Sequence, residues 1–211
     1  MPIILGYGED SLTLHALADG LADILHQLGD NSDPARSVVF FRPSFGRKGP
    51  GANGPASAQF GEFDAIIGSP KTVYLGEGKW KFAGDEHVLD EIQLRRHRVF
   101  RAYLEEHRRQ SSNNWAEFEA RMKPLLQREH PYLNPAPMGT GLARNLAYIL
   151  RHLDECGPEI VDVLMFWRLS NADRPPLTCG NFRIITHLCA REEDSDFVRL
   201  PDSANAYGNS G

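Results

Sequence analysis

The chain has 211 residues, 41% of them hydrophobic and 24% charged, with a formal net charge of −5. That balance predicts one soluble globular domain with a sizeable core over residues 1–200, followed by a disordered tail over 201–211. It excludes a uniformly basic protein, although local patches can still steer nucleic acid. The three cysteines, Cys156, Cys179 and Cys189, form no CxxC pair, so the expectation is reduced thiols in a cytoplasmic protein. No basic, apolar leader opens the chain, and no run of ~18 apolar residues predicts a membrane span.

In chain order, leucines and isoleucines from Leu14 to Leu28 recur at helical spacing. They predict one helix over Asp10–Leu28, capped by Asp10 or Ser11 and stopped by Gly29. Glu9, just before it, suits the positive end of the helix dipole. A strand over Ser37–Phe41 leads into RPSFGRKGPGANGPASAQ, whose length and Gly/Pro content predict a functional or mobile loop. Arg42, Arg47 and Lys48 at its start are candidates for phosphate contact or simply solubilising charges.

The stretch over residues 59–81 carries the densest chemistry. FGEFDAII and TVYLGEGKW flank Gly68-Ser69-Pro70-Lys71 and read as a hairpin. Side chains alternate across a strand, so Glu62, Asp64 and Ile66 share one face, as do Val73, Leu75, Glu77 and Lys79. An even-numbered loop places Asp64 opposite or diagonal to Glu77. Paired carboxylates beside a lysine suit a hard divalent cation and charge developing on phosphorus. Alternating charges on a strand are more often a solvated face than a metal site. Gly76 and Gly78 leave the backbone bare for a ligand or a metal.

Asp64, twelve intervening residues, then Glu77-Gly78-Lys79 resembles the D…(E/D)-x-K signature of the PD-(D/E)xK, or restriction-endonuclease-like, nucleases. Phe63 stands where that family's proline would be. The resemblance implies an α/β fold with an αβββαβ core, a central mixed sheet flanked by helices. It implies hydrolysis of phosphodiester bonds, DNA first, with Mg²⁺ or Mn²⁺ held by Asp64 and Glu77. Lys79 would position or activate water, and Glu9 and Glu62 would be auxiliary metal ligands. Exonuclease-like branches carry Q-x-x-x-Y on the helix after the ExK strand. Gln93 matches, and His97 stands at the tyrosine position. The alternative is a non-catalytic nucleic-acid-binding or assembly module that keeps the fold. Self-association stays open, and no membrane partner is implied.

A long helix over Leu89–Arg109 presents Arg95, Arg96, Arg98, Arg101, Arg108 and Arg109 opposite its apolar side. Phosphates would match such a face, with Arg95 and Arg96 as first candidates. Glu91, Glu105 and Glu106, one turn away, would instead neutralise it internally. A helix capped by Asn113 or Asn114 follows, with Pro124 expected to kink or divide it. Another helix is expected over Thr140–Leu153, then buried strands over Ile160–Leu169 and Phe182–Ala190. The order is α-β-β-β-α-α-α-β-β. YLGEGKW is no P-loop, the eight histidines hold no HExxH or HxH, and no GxSxG elbow occurs.

Overall fold

Apolar runs too continuous for a half-solvated sheet force the central strands to be covered on both faces, and the helices supply the cover. The computed structural model describes residues 3–45, 60–80, 88–109, 114–131, 133–192 and 195–200. In chain order the elements are β1 (Leu5–Tyr7), α1 (Glu9–Asp19), α2 (Leu21–Gln27), β2 (Val38–Phe41), β3 (Ala65–Gly68) and β4 (Thr72–Lys79). Then come α3 (Glu91–Arg108), α4 (Trp115–Glu129), α5 (Gly141–Asp154), β5 (Glu159–Arg168), β6 (Arg183–Leu188) and β7 (Phe197–Arg199).

The protein is α/β, with a five-stranded mixed sheet ordered β2-β3-β4-β5-β6. The β2–β3 and β3–β4 pairs are antiparallel, and the β4–β5 and β5–β6 pairs are parallel. A parallel return needs a long crossover, and α3, α4 and α5 provide it between β4 and β5. Ile66, Val73 and Leu75 pack beneath these three helices. Ala65, Ile67, Tyr74, Val163 and Met165 face the other way, against α1 and α2. The predicted alternation in β4 is therefore observed, with both faces buried. No described helix is long and apolar enough to cross a membrane.

The hairpin turn is held by the Ser69 hydroxyl, which accepts from the Lys71 and Thr72 amides and donates to the buried Asp30. Strand β3 is shorter than expected. Its regular ladder begins at Ala65, while Gly61 has a φ of 87° and Glu62 forms an isolated bridge with Ser44. Two other expectations change. The single helix over 10–28 is broken at Gly20, and it begins at Glu9 behind Gly8 rather than at a capping Asp10 or Ser11. Pro124 does not divide α4, which runs through it with Phe118, Met122 and Leu126 buried. A small antiparallel pair, β1 with β7, joins the two ends of the described chain. Arg47, Lys48 and the expected tail over 201–211 lie outside the described residues.

Candidate active site

The β3–β4 ladder pairs Ile66 with Leu75 and Ala65 with Gly76, and continuing that register by one residue sets Asp64 beside Glu77. Asp64 turns one oxygen back to the strand, where Oδ2 accepts the Gly78 amide at 2.8 Å. Its carboxyl is pushed up to about 6, first by burial and then by Glu77, against the pull of the Gly78 amide, Lys79 and Arg96. Glu9 opens α1, and its Oε1 lies 3.8 Å from Lys79 Nζ. Burial dominates there too, and repulsion from Asp64, Asp10 and Glu77 adds to it. Although Lys79 opposes both effects, Glu9 is raised to about 7. Three carboxyl groups, from α1, from the residue before β3 and from β4, thus feel one another's charge near the end of β4.

Glu77 has no solvent exposure and is bound from α3. Gln93 Nε2 donates to Oε2 at 3.0 Å, and Arg96 Nη1 donates to Oε1 at 2.7 Å. His97 Nε2 lies 3.2 Å from Oε1. Residues three and four apart share a helix face, which is why Gln93, Arg96 and His97 converge on one carboxylate. The other end of Gln93 closes a capping box. Its Oε1 accepts the Asp90 amide at 3.0 Å, while Asp90 Oδ1 accepts the Gln93 amide at 2.7 Å. One side chain therefore starts α3 and orients Glu77.

His97 bridges two acids, with Nδ1 2.8 Å from Asp162 Oδ1 on β5. Burial opposes the imidazolium, but the hydrogen bonds to Asp162 and Glu77 outweigh it and raise His97 above its ordinary value. Asp162 also accepts Arg101 Nη2 at 2.9 Å. Burial would raise Asp162, yet His97 and Arg101 hold it below the usual carboxylate range. His97 and Asp162 border a cleft of about 970 Å³ formed with Arg174–Phe182, the connection from β5 to β6.

Other predicted residues take different places. Arg96 is not a solvent-facing phosphate contact. It is 9% exposed, and its Nε donates to the Phe60 carbonyl at 3.1 Å. Arg42 has a φ of 48° and pairs with Asp10 and Glu62, the latter at 2.6 Å. Glu62 is thus drawn into an ion pair with Arg42, on the stretch that precedes the regular strand. Arg98 pairs with Glu91 and Glu129, Arg109 with Glu105 and Glu106, and Arg108 donates to carbonyls of Leu153, Gly157 and Pro158. Internal partners therefore neutralise most of the arginine face. Arg95 is the most weakly held, 4.0 Å from Glu91.

The strand backbone at Gly76 and Gly78 is covered by the protein's own side chains. A Cβ at Gly76 would lie 2.6 Å from Met165 Cε, and one at Gly78 would lie 2.9 Å from Thr13 Oγ1 and Trp167 Nε1. These glycines admit the protein's own side chains, including a Trp167 indole that donates to Thr13 at 2.7 Å. Sequence reasoning missed Asp162 and the inward roles of Arg96 and His97. The available signals were one acid inside the apolar run of β5 and the spacing from Gln93.

The class that fold and site define is an α/β protein with acids, a lysine and a glutamine gathered where α1, β3, β4 and α3 meet. No protein family matches the chain, and no curated protein or solved structure is significantly similar to it.

Proposed function

We propose that the protein is a metal-dependent phosphodiester hydrolase of the restriction-endonuclease-like kind, acting on DNA. The observation that carries this reading is the meeting of Glu9, Asp64, Glu77 and Lys79 at the end of β4. The succession α1, β2, β3, β4, α3, β5, with β5 parallel to β4, is consistent with an αβββαβ core.

The donor types suit a hard cation, although the carboxylate oxygens of Glu9, Asp64 and Glu77 do not all lie within 4.8 Å of one another. Glu9 and Asp64 are raised first by burial and then by the neighbouring acids, costs that a bound divalent ion would offset. A carboxylate offers about four acceptor positions. The contacts of Glu77 take two at Oε1 and one at Oε2, leaving Oε2 able to bind further. Asp64, Glu77 and Glu9 would hold Mg²⁺ or Mn²⁺, which supplies Lewis acidity and a water of lowered pKa. Within the chain, Lys79 offsets charge developing on the phosphate oxygens and orients the attacking water. Gln93 fixes the Glu77 carboxylate, and His97 with Asp162 fixes α3 against β5.

One observation favours a second reading, a nucleic-acid-binding or assembly module without turnover. The fully buried Glu77 already has Arg96 and His97 against it, so its charge is balanced without a metal. Single-turnover cleavage of a labelled duplex, with Mg²⁺ or Mn²⁺ titrated, separates the two. Lys79→Ala should lower the rate ~10²-fold or more while metal and DNA still bind, the scale of losing one preorganised electrostatic group. Equal rates for wild type and variant would remove Lys79 from the mechanism. No wild-type rate over single-stranded, duplex and RNA substrates would favour the module.

A further inference from the structure

On the opposite side of the sheet from Glu77, three ligand-type side chains from two elements come together: His15 of α1, His187 of β6 and Cys189 just beyond it. One ligand atom from each lies within 4.8 Å of the others, and they form the one such group of three or more among the described residues. Residues 187 and 189 share a strand face by alternation. His15 arrives because Gly20 lets α1 end close to the sheet. A Cβ at Gly20 would lie 2.5 Å from His187 Cε1, so any other residue would push this ring away.

Two further observations point to a ligand. His15 Nδ1 is buried without a hydrogen bond in the metal-free protein, and a metal on Nε2 would draw it to the carboxylate behind it. Each imidazole also has a carboxylate close behind it. Asp19 Oδ2 is 3.6 Å from His15 Nδ1, and Asp23 Oδ2 is 3.7 Å from His187 Nδ1. Carboxylates behind ligating histidines orient the ring and raise its basicity. The backbone is anchored as well, since the Cys189 amide donates to the Arg168 carbonyl at 2.8 Å.

We propose that His15, His187 and Cys189 form a zinc site that ties α1 to the β6 edge of the sheet. Two imidazoles and one sulfur are a borderline-soft donor set, matched to Zn²⁺ and unsuited to Mg²⁺ or Ca²⁺. Tetrahedral Zn²⁺ with bonds of about 2.0–2.3 Å spaces its ligand atoms about 3.3–3.6 Å apart. The observed limit of 4.8 Å therefore asks for a contraction of about 1 Å, within the reach of side-chain rotation. Three protein ligands leave a fourth position for water. Cys189 is a neutral thiol in the metal-free protein, raised to about 12 by burial. Binding forms the Zn–S bond as the S–H bond breaks, and the proton passes to solvent. This site is independent of the nuclease reading, because none of its ligands is a member of the Glu9, Asp64 and Glu77 group.

The test uses the full chain stripped with chelator, then titrated with Zn²⁺ by calorimetry and with Co²⁺ as a spectroscopic stand-in. One equivalent should bind at the thiolate site, with a thiolate-to-Co²⁺ charge-transfer band and a rise in Tm. Cys189→Ser should abolish the band, and His15→Ala should weaken Zn²⁺ binding ~10²-fold or more, at least the effect of losing a supporting partner. Asp64→Asn should leave the thiolate band unchanged, which separates this site from any metal held by the carboxylates. Absence of the thiolate band in the wild type would overturn the proposal, whether or not the variants fold. Equal Zn²⁺ affinity in wild type and His15→Ala would do the same.

Discussion

Removing the Arg96 guanidinium while leaving Glu77 in place tests the centre of the site. Arg96→Met keeps much of the aliphatic stem but deletes the 2.7 Å contact with Glu77 Oε1 and the 3.1 Å contact with the Phe60 carbonyl. Glu77 has no exposure to water, so its charge keeps only Gln93 and His97 as partners. Breaking a buried pair from one side costs about 3–5 kcal/mol, and the surviving partners place this case near 3 kcal/mol. For a chain of this size that corresponds to a Tm lower by about 6–12 °C. Glu77→Gln in the same background removes the stranded charge, so the double variant should be more stable than Arg96→Met alone. Urea denaturation of the wild type, both single variants and the double variant gives the coupling energy as a double-mutant cycle. A loss below about 1 kcal/mol for Arg96→Met, or strict additivity in the cycle, would refute the claim that Arg96 holds Glu77 in the core. The cycle also bears on function. If a cation shares Glu77, millimolar Mg²⁺ should restore more stability to Arg96→Met than it adds to the wild type.

Two further outcomes are expected. Glu9 and Asp64 are raised to about 7 and about 6, so the folded protein binds more protons than the unfolded chain between about pH 4 and 7. The stability they contribute is present at low pH and is lost as pH rises through those values. Glu9→Gln and Asp64→Asn should each flatten this loss in metal-free thermal melts, and unchanged slopes would contradict the burial of these acids. Arg95 is the described α3 candidate for a phosphate with the loosest partner, at 4.0 Å. Arg95→Ala should weaken DNA binding across sequences and reduce the salt slope by about one unit, and a filter-binding titration with unchanged slope would remove it from the interface.

Local periodicity determined a large part of this protein. The apolar spacing in α3 and α5, the continuous run in β5, and the Ser-Pro turn between β3 and β4 all act over a few residues. Their outcomes are legible without a partner. The pairing of Asp64 with Glu77 belongs here as well, because a short turn sets the register of the strands it joins. Gln93 was legible as a residue on the following helix, though not as the capping partner of Asp90. By contrast β6, expected as a buried strand, is a sheet edge with only Ile185 buried.

Tertiary structure decided what depends on residues far apart in the chain. A glycine in a helical pattern looks tolerable, and the sequence does not show that the His187 ring from β6 packs against Gly20, where a Cβ would lie 2.5 Å from it. The three-residue strands β1 and β7 are too short to show alternation, and they exist because opposite ends of the described chain pair. Arg96 read as surface charge because an arginine is placed in water unless a buried acid is known to wait for it. Glu77, on a strand buried on both faces, is that acid. Asp162 and His97 came together for the same reason, as did His15, His187 and Cys189. Each depends on a crossover or a sheet edge whose geometry is set by packing, while periodicity records only which face of an element turns inward.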